Sequence, residues 1–411
     1  MVVALVALAV ALAIALTWRT TWAPAIGALA GLAIALGGGI ATRGDVEHAL
    51  DDLWRPLVTI VGIMLTTSCA AELGCFARLA SWIEPTTRGP VRRAFRLVFV
   101  ISAVTAALLS NDAAILLVTP VVIELLRAVY PVRHPVFVVP FALAVFVAAG
   151  VAPLPTGNPM NLVVAYRAGI GFNDYALVMI PVALVGWVVA YHVLAWWFRD
   201  VLADEVAAPG EAPPSVPLTI AARAVMVIAI ASIASYPVLA ALGQPIWPVA
   251  AVASLIAFLV ARVGGGNAIR IASGVSWELV PFVFGVLVLA TALARAGATE
   301  SLEALYERTP APLSTIATVG ALGSAVLNNH PMALLHSHAL AGAPHAHVLA
   351  ALVGGDLGPR LLPIGSLAGL LWMHALRTQR VTVSLRTFMT VGAVVTVPSL
   401  VASILMLWAM T

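Results

Sequence analysis

A chain of 411 residues that is 62% hydrophobic and only 9% charged cannot keep most of its surface in water, since soluble domains carry about 25% charged residues. The net charge is +3, every basic residue is arginine, and no basic cluster is interleaved with aromatics, which excludes a nucleic-acid-binding surface. The only cysteines, Cys69 and Cys75, stand six apart in one apolar run, which excludes a disulfide framework and leaves two small buried residues.

Apolar runs separated by short polar joints predict an all-α polytopic membrane protein of about ten transmembrane helices, each needing about 20 apolar residues. In the first half, helices are expected over residues 2–17, 24–41, 56–80, 135–152 continuing through 158–168, and 175–198. The first run lacks a basic flank and reads as a retained helix, not a signal peptide. The second half gives 218–242, 246–263, 277–296, 345–354 continuing through 364–376, and 384–410. Residues 95–127 and 312–341 differ, because polar residues interrupt each at its middle: Ser110-Asn111-Asp112 and Asn328-Asn329-His330-Pro331. Each arm is about 11 to 16 residues, short for a span. We read both as re-entrant hairpins; two full spans each is the other reading.

The halves repeat. Trp54, Gly62 and Gly74 are spaced 8 and 12 apart, as are Trp277, Gly285 and Gly297. Each triplet precedes an Asn-centred break, and each break precedes a broken helix, at Thr156-Gly157-Asn158-Pro159 and Pro363-Ile364-Gly365-Ser366. Residues 1–199 form the first membrane repeat (hairpin 95–127, broken helix 135–168). Residues 200–217, polar and Pro-rich, are the inter-repeat loop, and 218–411 the second repeat (hairpin 312–341, broken helix 345–376). Five spans and a hairpin per half make the repeats inverted, the pattern of a secondary transporter. Arg88, Arg92, Arg93, Arg127 and Arg133 fall on one side with most other arginines, whereas Arg43, Arg55, Arg167 and Arg308 fall on the other. The positive-inside rule makes the first side cytoplasmic and puts both termini in the periplasm.

Broken helices expose N–H and C=O groups that lipid cannot satisfy, so the breaks face protein or a cavity. Asn111 and Asn329 offer donors and acceptors to a hydroxylated solute; the plainer role is to cap the arm that follows. Asp112 and Asp356 are the acids beside the breaks and candidates to carry a coupling proton, since an intramembrane acid is costly to keep. Asp112 has capping as its plain role, and Asp356 has an ion pair with Arg360. Asn158 and Asn161 flank the first broken helix; Gly365 and Ser366 hold the corresponding place in the second, where glycine also serves close packing. The repeat aligns Glu72 with Arg295 as a scaffold ion pair. His330 sits at a break. His336, His338, His345 and His347 form two His-x-His pairs, but residues two apart do not share a helical face and no carboxylate or thiolate completes a set, so no metal or cofactor is expected.

Leu327-Asn328-Asn329-His330-Pro331, followed by the run from Gly355-Asp356-Leu357-Gly358-Pro359-Arg360 to Gly365-Ser366-Leu367-Ala368 and on to Leu371-Trp372 and His374, resembles the arsenite efflux pump (ArsB) family. Ser110-Asn111-Asp112-Ala113 with Thr119-Pro120 resembles that family's first hairpin. The resemblance covers nearly the whole chain. It implies the ion-transporter superfamily fold in a bacterial inner membrane, with a mobile core moving against a scaffold. It further implies export of arsenite, and of antimonite, as neutral trihydroxides by proton antiport, with a soluble ATPase subunit as a partner of some such pumps. On that fold the sites fall at Asn111, Asp112, Asn158, Asn161, Asn329 and Ser366. Departures are His330 where members often carry Met, and Ala149-Gly150 where an acid often stands. A dicarboxylate or sodium-coupled carrier of the same superfamily is the alternative. An intramembrane enzyme lacks a His-Glu-x-x-His helix or Gly-x-Ser-x-Gly elbow.

Overall fold

The computed structural model describes the chain apart from residues 1, 19, 21, 76, 77, 79–89, 131, 132, 204–216 and 298, and apart from the side chains of residues 5, 12, 16, 17, 112, 113, 116, 128, 367, 371, 374 and 378. Among the described residues all regular structure is helical. The first half holds α1 (Val2–Thr17), α2 (Ala23–Gly37), α3 (Arg43–Glu72), α4 (Val91–Leu108), α5 (Asn111–Val129), α6 (His134–Ala148), α7 (Pro159–Arg167), α8 (Phe172–Trp197) and the short α9 (Arg199–Leu202). The second holds α10 (Ile220–Ala241), α11 (Trp247–Val263), α12 (Ala268–Ser273), α13 (Leu279–Arg295), α14 (Glu300–Arg308), α15 (Pro312–Leu327), α16 (Asn329–Ala339), α17 (His345–Leu357), α18 (Leu367–Thr378) and α19 (Leu385–Met410). Three-residue 3₁₀ turns at Pro155–Gly157, Gly358–Arg360 and Pro363–Gly365 fill the two longer breaks. Most of the expected 200–217 loop lies outside the described residues, as does the far end of the helix expected at 56–80.

Helix ends follow local chemistry. Thr42 and Asp45 close a capping box at the start of α3: the Thr42 hydroxyl accepts from the Asp45 N–H, and the Thr42 N–H donates to Asp45 Oδ2 at 2.7 Å. That box starts α3 at Arg43, well before the expected residue 56. Hydropathy marks the apolar stretch, whereas the helix also runs through the polar segment before it, with Pro56 inside. The first hairpin's arms are likewise longer than expected, 18 and 19 residues. The second hairpin's arms, 16 and 11 residues, fall in the expected range. Among the described residues α3, α8, α10 and α19 are long and apolar enough to cross a membrane; α2, α6, α11 and α15 are shorter apolar helices. Val227, Ile230 and Val238 of α10, Leu255 and Leu259 of α11, and Val397, Val401 and Leu405 of α19 are all exposed. Such an outer surface is stable against hydrocarbon rather than water.

One body is a row in which α1 packs on α2, α2 on α13, α13 on α3, α3 on α11 and α11 on α10. Small residues let these backbones meet: a Cβ on Gly285 would lie 3.0 Å from the Ala28 carbonyl, and one on Gly62 would lie 2.7 Å from the Ala250 oxygen. The start of α3 is tied to the end of α13, where Arg295 donates to both oxygens of Asp45 at 2.5 and 2.8 Å. The end of α3 is tied to α12, where Arg270 donates to Glu72 at 2.7 and 3.0 Å. The expected Glu72–Arg295 pair is therefore replaced by these two. α3 and α13 run antiparallel, so positions equivalent by the repeat lie at opposite ends.

The second body holds the breaks. α6 packs on both arms of hairpin α4–α5, and α17 on both arms of hairpin α15–α16. The arms then exchange partners: α7 packs on α16, and α18 on α5, so each half's broken helix ends against the other half's hairpin. α8 and α19 lie along one another. α15 and α17 meet backbone to backbone, since a Cβ at Gly354 or Gly358 would stand 2.1 Å from the Ala317 oxygen or 2.3 Å from the Ala321 oxygen.

Candidate substrate site at the helix breaks

The last turn of α17 buries Asp356, which is 5% exposed. Asn158 Nδ2 donates to its Oδ1 at 2.6 Å, and Asn161 Nδ2 and the Ala152 N–H donate to its Oδ2 at 2.8 and 2.9 Å. Tyr175, at the start of α8, extends the network: its hydroxyl accepts from Asn161 Nδ2 at 2.9 Å and donates to the Ala152 carbonyl at 3.0 Å. Asn158 also caps α7, its Oδ1 accepting from the Met160 N–H. Pro159 at the first helical position has no N–H to satisfy, so the cap and the cross-half contact use different atoms of one side chain. Three N–H donors on two oxygens suit an acceptor-only group; protonating either oxygen sets a donor against a donor. The carboxylate at this junction is therefore also the fastening between α7 and α17.

Each hairpin tip is tied to the break of its own half by an asparagine amide. Asn111 Nδ2 donates to the Gly150 carbonyl at 3.2 Å, and Asn328 Nδ2 to the Ile364 carbonyl at 3.1 Å. Asn328 has φ +82° and ψ 146°, an extended positive-φ conformation that residues bearing a side chain rarely adopt, and its Oδ1 accepts from the His330 N–H at 3.2 Å. The expected capping role of Asn329 thus falls to Asn328. Asn329 instead pairs its Oδ1 with His330 Nδ1 at 2.8 Å, and the buried His330 ring lies 5.1 Å from Phe282 of α13. Ser366 caps α18 by accepting from the Gly369 N–H at 3.0 Å. At Gly365 a Cβ would lie 2.8 Å from Pro359 Cα, which supports the close-packing role there.

Comparison with known proteins decides the family. A citrate-transporter family profile matches residues 1–355. The chain belongs to that family. The arsenical pump membrane protein of Escherichia coli (strain K12) is 30% identical over 387 residues, 90% of each chain. The Yersinia enterocolitica protein of the same description is 30% identical over 384 residues, 90% of this chain and 89% of its own. An uncharacterised transporter of Mycobacterium tuberculosis is 29% identical over 406 residues, 93% of this chain and 92% of its own. The crystal structure of the Alcanivorax borkumensis YdaH transporter, described as having an unusual topology, is similar with a TM-score of 0.54 and 15% identity, covering 88% and 86% of the two chains. That likeness speaks for the fold. The chain is a multi-pass membrane transporter of the ion-transporter superfamily.

In this citrate-transporter family chain, the structure joins Asn158, Asn161 and Asp356 directly. Asn111 reaches the same break through Gly150, and Asn329, His330, Gly365 and Ser366 gather at the second hairpin tip and second break. The side chain of Asp112 lies outside the described residues. The expected Asp356–Arg360 ion pair is not formed: both Asp356 oxygens face α7 and the first break, and Arg360 donates to the Val147 carbonyl instead. Among the described residues no three His, Cys, Asp or Glu side chains gather as metal ligands. His336 pairs with the Tyr306 hydroxyl at 2.6 Å and His338 with the Thr291 hydroxyl at 3.1 Å. Tyr175 and Asn328 hold places in these networks that sequence reasoning did not single out. Asn328 had a local signal in the Asn-Asn pair; Tyr175 had none.

Proposed function

We propose that this transporter exports arsenite, and antimonite, across the bacterial inner membrane as neutral trihydroxides in exchange for protons. The observation that carries the reading is the Asp356 carboxylate held by Asn158, Asn161 and a backbone N–H at the junction of the two broken segments. A trihydroxide presents O–H donors to a carboxylate and oxygen acceptors to amide N–H groups, so Asp356, Asn158 and Asn161 match it with no fixed cation. A proton on Asp356 turns one of its acceptor positions into a donor and removes the charge that draws the solute's O–H groups. Proton and solute then compete for one carboxylate, which is the requirement of an antiporter. Asn111, Asn329, His330, Gly365 and Ser366 complete the lining from the hairpin tips and second break, and Asp112 is the second candidate for the proton. The relatives named as arsenical pumps support the substrate.

Two inverted repeats, residues 1–199 and 218–411, fit alternating access of elevator type, in which the body bearing the breaks moves against the row built on α3 and α13. Both termini are periplasmic in this reading, and a soluble ATPase subunit is a partner to be sought. A second reading, a di- or tricarboxylate or sodium-coupled carrier, is favoured by the citrate-transporter profile. Everted vesicles bearing the protein separate the two. Arsenite accumulation driven by an acid interior and abolished by an uncoupler is expected. Absence of arsenite movement, with citrate or succinate uptake that follows a sodium gradient, would establish the second reading instead.

A further inference from the structure

α3 turns from polar to apolar at Trp54 and Arg55: four acids precede them between Asp45 and Asp52, and no charged residue follows from Pro56 to Ala71. That change marks a boundary between water and hydrocarbon. α7 reaches the same boundary from its break. Its nine residues span about 14 Å, near half of a hydrocarbon core of about 30 Å, and Arg167 in its last turn pairs with Asp52 at 2.6 Å. Here α3, α7 and the start of α11 border a cavity of about 500 Å³, lined by Trp54, Arg55, Pro56, Leu162, Tyr166 and Trp247 among others. Its walls therefore come from both bodies, and its size lies in the range of about 300–1,000 Å³ that small-molecule sites span. The Trp54 and Trp247 rings meet edge to face at 4.9 Å, and Arg55 Cζ stands 5.0 Å from the Trp54 ring centre. Arg55 Nη1 donates to the Tyr166 hydroxyl at 2.6 Å, which leaves the Tyr166 O–H free to donate in turn. Among the described residues no carboxylate pairs with Arg55, and no group accepts from the indole N–H of Trp54 or Trp247. The Thr59 hydroxyl is turned back onto the Arg55 carbonyl at 3.0 Å. The polar groups left to the cavity are thus donors around one positive charge, in a wall that is otherwise apolar.

We propose that this cavity seats one anionic phospholipid, with its phosphate on Arg55 and Tyr166 and its glycerol and first chain carbons against Pro56, Leu162 and Ile246. A phosphodiester brings acceptors and one negative charge, which is what these donors and Arg55 lack. The indole faces suit the glycerol-ester region, where a ligand is apolar at one end and wet at the other. A zwitterionic headgroup fits less well, because its ammonium finds no acceptor in the wall. A free phosphate would leave the apolar wall uncovered. The site is separate from the Asp356 network and holds whichever solute is transported.

The test is native mass spectrometry of the full-length protein, purified in detergent and titrated with phosphatidylglycerol, with phosphatidylcholine of the same chains, and with inorganic phosphate. The wild type is expected to retain one phosphatidylglycerol saturably, roughly tenfold or more tighter than phosphatidylcholine. Arg55→Gln should abolish that preference, so that the two lipids bind alike. Arg55→Lys keeps the charge and should keep the preference, which separates lost charge from a misfolded protein. Ile246→Trp keeps every donor and fills the cavity, so it should weaken phosphatidylglycerol binding as far as Arg55→Gln does. A preference that survives undiminished in Arg55→Gln or in Ile246→Trp would put the lipid elsewhere and overturn the proposal. So would equal binding of the two lipids to the wild type, or displacement of the lipid by an equal concentration of inorganic phosphate, which would make this a site for the free ion.

Discussion

At the scale of single residues, the Asp356 network sets donors and acceptors against one another so closely that isosteric changes are not silent. Asp356→Asn turns one acceptor into a donor opposite either the Asn158 amide or the Asn161 amide and Ala152 N–H together. We expect the variant to lose uncoupler-sensitive arsenite accumulation in everted vesicles by roughly tenfold or more, and to lower unfolding stability in detergent by about 1–3 kcal/mol. Transport at the wild-type level would remove Asp356 from the coupling role and leave Asp112 to be tested in the same way. Tyr175→Phe deletes a hydroxyl that bridges Asn161 to the Ala152 carbonyl. It should cost about 1 kcal/mol or more in stability and weaken arsenite transport more mildly than Asp356→Asn. Equal losses in the two variants would show that the network acts only as a scaffold.

At the scale of elements, the contacts that matter are backbone against backbone and helix end against helix end. Gly358→Ala pushes a methyl group against the Ala321 carbonyl, where α15 and α17 offer no side chain to give way. We expect overpacking of about 1–3 kcal/mol, read as a lower melting temperature in detergent, and an unchanged melting temperature would mean the helices can separate. Asp45→Ala leaves the Thr42 cap in place but removes the carboxylate that accepts from the Thr42 N–H and pairs with Arg295, with an expected loss of about 1 kcal/mol. The sequence reveals these elements unevenly. The breaks were legible because Asn, Gly and Pro interrupt apolar runs at Asn111, Asn158, Asn328 and Ser366, and each is a helix start or its cap. The start of α3 was not, because hydropathy reports lipid contact and is blind to a polar helix that projects beyond it. Partners separated by long stretches of chain were not either: nothing near Asp356 announces Asn158 and Asn161, and nothing near Glu72 announces Arg270.

At the scale of the whole molecule, orientation is the broadest claim open to test. A reporter that is active only outside the cytoplasm, fused after Thr411, should be active, and one that fluoresces only in the cytoplasm should be dark. The opposite pattern would invert the proposed topology without touching the fold. The exchange of partners between halves, with α7 on α16 and α18 on α5, bears on how the protein is made. Asn161 and Asn158 reach the membrane 195 and 198 residues before the carboxylate that will satisfy them. At a synthesis rate of about 5–20 residues per second, the first broken helix waits on the order of 10–40 seconds with the Asn158 amide N–H groups unanswered, while Asn161 already has Tyr175. Biogenesis therefore passes through a half-built state in which Asn158 has only water, lipid headgroups or the insertion machinery to accept from it. A ribosome that stalls before α17 leaves the membrane holding an open break, and cellular quality control would meet it there.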